Sequence, residues 1–153
     1  MATIVPKEEL LAARGKDLGC SDWFQIDQDR INAFADATLD HQFIHVDEEA
    51  AKKTPFGGTI AHGFLSLSML PYLMKELTLI PQNVVMGINY GFNSLRFLNP
   101  VPVGSKIRAC AQIKDVVEKN PGQFLVTYTV KVEIEGVEKP ALVAEWLAMS
   151  ITG

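Results

Sequence analysis

The chain has 153 residues, 48% hydrophobic and 21% charged, with a net charge of −4 and a pI near 5.3. A chain of this length buries roughly two thirds of its unfolded surface, so one domain over residues 1–153 is expected. The mildly acidic balance without a basic cluster excludes the electrostatic footprint of a nucleic-acid binder and that of a polybasic lipid anchor.

In chain order, Pro6 followed by Lys7-Glu8-Glu9-Leu10-Leu11 predicts a short helix closed by Gly15, with Pro in the first turn and Gly just past the end. The same N-terminal stretch lacks a charged segment leading into an apolar one, so no secretory leader is read there and a cytoplasmic setting is expected. Ser21–Ile26 reads as a short strand. Asp27 then suits the cap of a helix through about Ala37, with Ile31, Phe34 and Ala35 on one face. Asp47 caps a further short helix that must end before Pro55. From His62 to about Leu79 nearly every residue is apolar. Phe64, Leu65, Leu67, Met69, Leu70, Leu73, Met74 and Leu77 point in almost all directions, which predicts one long buried helix, loosened at Pro71. His62, Pro71, Lys75 and Glu76 argue against a membrane span.

Beyond Pro81 the period changes to two. A strand is expected over about Val84–Phe97. Ile107–Glu118 and Phe124–Gly136 should form an antiparallel hairpin around the turn Asn120-Pro121-Gly122, and a last strand should run through about Leu142–Ile151. One apolar helix and several long antiparallel strands define an α+β fold, a curled antiparallel sheet wrapped around one long central helix. A flat sheet covers only one side of such a helix, so strong curvature or a second subunit is required. Cys20 and Cys110 lie far apart, outside any metal-binding spacing, and read as buried free thiols of a reducing compartment rather than a disulfide.

The chemistry-bearing residues are few. Of three histidines, His41 and His45 share the segment Asp40-His41-Gln42-Phe43-Ile44-His45-Val46-Asp47, read as a loop between two helices. A carboxylate and an imidazole in one compact turn can hold a water between them and pass protons both ways. The plainer alternatives are a turn-forming Asp40 and a partly buried His45 bonded to backbone. A metal held by His41, His45 and His62 would need all three on one side, and none is expected. Gly63 opens the apolar helix, where backbone N–H groups lack helical partners and suit an oxygen gaining negative charge. The alternative there is a strand-to-helix turn that needs glycine for its shape. No serine or cysteine sits in a nucleophile motif.

Together the two segments resemble the MaoC-like dehydratase family, also called the hydratase 2 group of (R)-specific enoyl-CoA hydratases. The family pattern is Asp, four residues, His, and later an apolar pair followed by His-Gly. Here these are Asp40, His45 and Ile60-Ala61-His62-Gly63-Phe64. Leu39 stands where many members have Gly, and Gln42-Phe43 where many have Asn-Pro. With Ile44-His45-Val46-Asp47 and Thr54–Phe64, these features are similar to the branch akin to nodulation protein N. The resemblance implies a hot-dog fold and a hydro-lyase of fatty acid metabolism that adds water to trans-2-enoyl thioesters, giving (R)-3-hydroxyacyl thioesters. It implies Asp40, His45 and the Gly63 N–H as the catalytic groups. Gln42, Phe43, Ile60, Ala61, His62, Asn89, Tyr90 and Asn93 are expected around the substrate. It further implies a homodimer, an acyl-CoA or acyl-carrier-protein thioester as substrate, and no other cofactor. Two competing readings stand beside it. A thioesterase of the same fold would need a carboxylate on or near the central helix, and this one carries only Glu76, near its far end. A non-catalytic acyl-binding subunit would have no need of Asp40, His45 and Gly63 together.

Overall fold

The computed structural model describes residues 2–153. Thr3–Val5 (β1) leads into the helix Lys7–Leu11 (α1), then Asp17–Cys20 (β2) and Phe24–Gln25 (β3). Gln28–Thr38 (α2), Phe43–Val46 (α3) and Glu48–Ala51 (α4) are short helices. Gly63–Ser68 (α5) and Leu70–Met74 (α6) follow, then Leu79–Pro81 (β4). Four long strands complete the chain: Val84–Phe97 (β5), Lys106–Asn120 (β6), Gln123–Ile134 (β7) and Val137–Thr152 (β8). The main sheet is antiparallel in the order β2-β6-β7-β8-β5, with β3 also on β6, while β1 pairs with β4 in parallel.

The alternation read in β7 decides which face is inside. Phe124, Val126, Tyr128, Val130, Val132 and Ile134 are all buried. They pack against Leu65 of α5, Met69 at its end, and Leu70, Leu73 and Met74 of α6. Gly122 takes a φ of 78° in the turn before β7, as glycine third in a Pro-Gly turn should. Register shifts interrupt the β2–β6, β5–β8, β6–β7 and β7–β8 ladders, and such bulges sharpen the twist that rolls a sheet around a helix. The result is the hot-dog arrangement, α+β in class.

Three expectations change in detail. The apolar helix is not one run to Leu79: it breaks at Met69 into α5 and α6 and stops at Met74. Pro71 has no N–H to give, and the Leu73 N–H resumes the ladder onto the Met69 carbonyl at 2.9 Å. Nor is it buried all round, since Phe64 and Tyr72 remain 65% and 47% exposed on the side the sheet leaves open. Within Ser21–Ile26 only Phe24–Gln25 is strand, because the ladder onto β6 is made mainly by the preceding β2.

The cysteines are not free thiols. Cys20 and Cys110 are direct partners across the β2–β6 ladder and form a disulfide, with Cα atoms 4.0 Å apart. A sequence separation of 90 residues conceals a neighbourhood that strand pairing creates.

Candidate active site

The site is assembled from three segments that converge at the start of α5. Asp27 caps α2, its carboxylate accepting from the Arg30 N–H at 2.9 Å. The helix ends at Leu39, whose φ of 64° is left-handed. That conformation strains a residue with a Cβ and is free for glycine, so Leu39 bears a cost at this position. The reversal delivers Asp40. Its Oδ1 accepts from the Gln42 N–H at 3.3 Å, and its carboxylate is about half exposed.

The segment expected to be a plain loop contains a helical turn, α3, which turns His45 inward; the residue is only 6% exposed. A second segment, Thr59–Ala61, is pinned from both sides. Its Ile60 N–H donates to the Ile44 carbonyl at 3.0 Å and its Ala61 N–H to the Val101 carbonyl at 2.8 Å. The Val103 N–H reaches the Thr59 carbonyl at 3.0 Å. So fixed, the Ile60 carbonyl lies 2.7 Å from Nδ1 of His45. A carbonyl only accepts, so Nδ1 carries the hydrogen and the lone pair of neutral His45 stands on Nε2. Burial pushes the His45 pKa below its usual value, and the neighbouring His62 acts in the same direction. The Ile60 hydrogen bond and the Asp40 charge oppose that shift. Neutral His45 is therefore the form at pH 7, able to accept a proton.

His62 lies against it, ring centroids 3.9 Å apart and planes 22° from parallel, with Phe34 packed on its side at 4.9 Å. Its Nε2 donates to the Asp40 backbone carbonyl at 3.0 Å and lies 4.0 Å from Oδ2 of Asp40. One carboxylate oxygen of Asp40 and one ring nitrogen each of His45 and His62 fall within 4.8 Å of one another. That span suits one water bridged by two hydrogen bonds of about 2.8 Å. It suits a metal poorly, because imidazole lone pairs lie in the ring plane and two stacked rings direct them side by side rather than at one point. His41, by contrast, faces outward and pairs with Asp36 at 2.8 Å.

Beside His45 lies a cavity of about 270 Å³, walled by Ile60, Ala61, Gly63 and Ser66 on one side and by Phe97–Val101 with Ala141 and Leu142 on the other. Gly63 is the first residue of α5, and among the described residues nothing accepts from its N–H. A Cβ there would come within 2.9 Å of the Phe97 ring, so glycine lets that ring pack closely against the start of α5.

The structure thus gathers Asp40, His45, His62, Ile60, Ala61 and Gly63. Gln42 and Phe43 stand on the exposed side of α3 and do not line the cavity. The three residues of β5 do not reach it either. Asn89 accepts from the Trp146 indole N–H at 3.2 Å and borders a separate cavity of about 280 Å³ beside Pro71 and Met74. Asn93 donates to Glu145 at 3.3 Å, and Tyr90 lies exposed under the Lys119 ammonium. A larger concavity of about 650 Å³ lies around the disulfide, away from both histidines of the site.

Sequence reasoning missed Gln28. Its Nε2 donates to the His45 carbonyl at 2.8 Å and to Asn32 at 2.9 Å, while its Oε1 accepts from the Thr59 hydroxyl at 2.6 Å. One side chain thereby holds both segments that orient the imidazole. It missed Ser66 and the Phe97–Val101 wall as well. Ser66 carried a faint signal, as the small polar residue one turn past Gly63.

The MaoC like domain family matches residues 10–137. 3-Hydroxyacyl-thioester dehydratase Z of Mycobacterium tuberculosis is 48% identical over 145 residues, 95% of each chain. Nodulation protein N of Rhizobium meliloti is 47% identical over 137 residues, 89% of this chain and 85% of that one. The (R)-specific enoyl-CoA hydratase of Rhodospirillum rubrum is 34% identical over 114 residues, covering 72% and 76%. Among solved structures, a monoamine oxidase regulatory protein from Archaeoglobus superposes with a TM-score of 0.78 at 26% identity, covering 100% and 99% of the two chains. With its Asp–His turn and glycine-led helix in place, the chain belongs to the MaoC-like dehydratase family of hydro-lyases.

Proposed function

We propose that the protein is an (R)-specific enoyl-thioester hydratase/dehydratase with Asp40 and His45 as its acid–base pair. The observation that carries this reading is the meeting of the two side chains, within 4.8 Å, beside the unpaired Gly63 N–H at the mouth of a cavity. Water held between Asp40 and Nε2 of His45 loses a proton to the pair as its oxygen bonds to C3 of a trans-2-enoyl thioester. The C2–C3 π electrons shift toward the carbonyl, whose oxygen gains enolate charge opposite Gly63. The pair then returns a proton to C2, and the 3-hydroxyacyl thioester leaves with all atoms of water added. Run backwards, the same steps dehydrate. Positioned acid–base groups of this kind contribute about 10²–10⁴-fold, and one backbone donor to the oxyanion about 10²-fold or more.

The (R) handedness and the CoA or carrier-protein thioester are supported by the names of the relatives. The thioesterase alternative is weak on position: Glu76 borders a cavity beside Trp23 and Tyr72, not the one beside His45. A homodimer belongs to the same reading. β5 is an edge strand, and Val85, Met86, Ile88, Tyr90 and Phe92 are each 39% exposed or more. A long apolar edge is an aggregation hazard unless something pairs with it, and a second copy of β5 is the proposed partner. No helix of the described residues is long and apolar enough to cross a membrane; the cytoplasm is the proposed setting, where reductant would act on the disulfide.

The test is loss of enoyl-thioester absorbance when purified protein meets crotonyl-CoA, with the product read by an (R)-specific dehydrogenase. Hydration to the (R) product supports the reading. Release of free thiol without hydration would favour the thioesterase, and binding without turnover an acyl-binding subunit.

A further inference from the structure

We propose that Ser66 supplies a second hydrogen-bond donor, beside the Gly63 N–H, to the carbonyl oxygen of the bound acyl thioester; this rests on the acyl-thioester reading above. The Ser66 hydroxyl is wholly buried, has no partner among the described residues, and lines the His45 cavity. Buried hydroxyls are normally paired, so an unpaired one facing a cavity marks a place where a ligand completes the bond. Ser68 shows that a serine of this helix can satisfy itself: its hydroxyl donates to the Phe64 carbonyl at 2.6 Å. Ser66 does not, and the adjoining walls are apolar, with Ile60, Ala61, Val101 and Leu142.

Position selects the atom it would serve. Ser66 is three residues beyond Gly63, so the two share a face of α5, about 4.5 Å apart along the axis. Helical side chains lean toward the N-terminus, which carries the Ser66 hydroxyl back toward the Gly63 N–H. A carbonyl oxygen has two lone pairs and accepts from both. As enolate charge builds, two donors preset in a dry pocket stabilise it without reorganising.

Ser66→Ala tests this with three readouts on the full chain. With crotonyl-CoA, kcat should fall about 10²-fold while KM stays within a few-fold, the signature of a bond made mainly in the transition state. The melting temperature should hold or rise, because the wild-type hydroxyl is unpaired. Bound butyryl-CoA labelled with ¹³C at the carbonyl cannot be hydrated, and its resonance should move from the wild-type position toward that of free butyryl-CoA. An unchanged kcat, an unchanged carbonyl resonance, or a loss of activity matched by a lower melting temperature would each overturn the assignment. Should wild-type protein bind butyryl-CoA yet fail to hydrate crotonyl-CoA, the hydratase reading fails, while the resonance still decides Ser66. Failure to bind butyryl-CoA at all would sink both.

Discussion

Replacing Gln28 with Ala should loosen His45 without touching the cavity. The change removes the donor to the His45 carbonyl and the acceptor of the Thr59 hydroxyl, at 2.8 and 2.6 Å. Thr59 is 2% exposed, so water does not readily take over its hydroxyl. A neutral hydrogen bond contributes about 1 kcal/mol net, and leaving a buried partner unpaired costs about 1–3 kcal/mol. The expected destabilisation is about 2–3 kcal/mol, roughly 5–10 °C in Tm for a chain of this length. Removing both partners of the Thr59 bond leaves neither half of that bond unpaired, so Thr59→Val in the Gln28→Ala background should cost less than the sum of the single changes. Activity adds an independent axis. Hydration by Gln28→Ala should fall through kcat, because the imidazole loses a tie on each supporting segment. Thermal unfolding of the four proteins of the cycle, with kcat for each, is the assay. Additive stabilities, or a Gln28→Ala protein within about 0.5 kcal/mol of wild type, would refute the clamp.

Other consequences follow from single features. Burial lowers the His45 pKa, so the folded state binds fewer protons than the unfolded one near its ordinary value of 6.5. His45 therefore contributes stability that is present above pH 6.5 and lost as pH falls through the lowered folded value. Unfolding measured from pH 8 to 5 should show a flatter acid slope in His45→Asn than in wild type; equal slopes would contradict the buried neutral imidazole. Leu39 is 81% exposed with a φ of 64°, so Leu39→Gly relieves strain and forfeits little packing. It should gain about 0.5–1 kcal/mol in denaturant unfolding, and a loss would mean the side chain is needed. The disulfide closes a loop of 90 residues, an entropic effect of at most about 4–5 kcal/mol. Dithiothreitol should lower Tm by up to about 15 °C, whereas two titratable thiols in native protein without reductant would show that the bond is absent.

Much of this fold is legible because periodicity reports burial. The alternation from Phe124 to Ile134 fixed strand, face and core contacts together, and the Asp27 and Asp47 caps placed two helix starts. What failed was what local pattern does not encode. Apolar residues in every direction overstate burial when the sheet covers one side, as at Phe64 and Tyr72. Strand pairing joins Cys20 to Cys110 across a distance no spacing rule spans. At the site, the Asp–His turn and the glycine-led helix were readable as motifs. Gln28 was not, because its role exists only once α2 packs against α3 and Thr59. Asn89, Tyr90 and Asn93 illustrate the reverse: the resemblance put them around the substrate, while the structure spends Asn89 and Asn93 on neighbours within the sheet and leaves Tyr90 exposed beside Lys119.

The most direct measurement is kcat/KM for hydration of a trans-2-enoyl-CoA by Asp40→Asn, His45→Ala and the double variant, with circular dichroism to confirm folding. If both groups act on one water, each single change lowers the rate about 10²–10⁴-fold, and the double variant is scarcely worse than the poorer single. Near-normal rate in either single variant, or losses that multiply in the double, would show that the two side chains do not share that water.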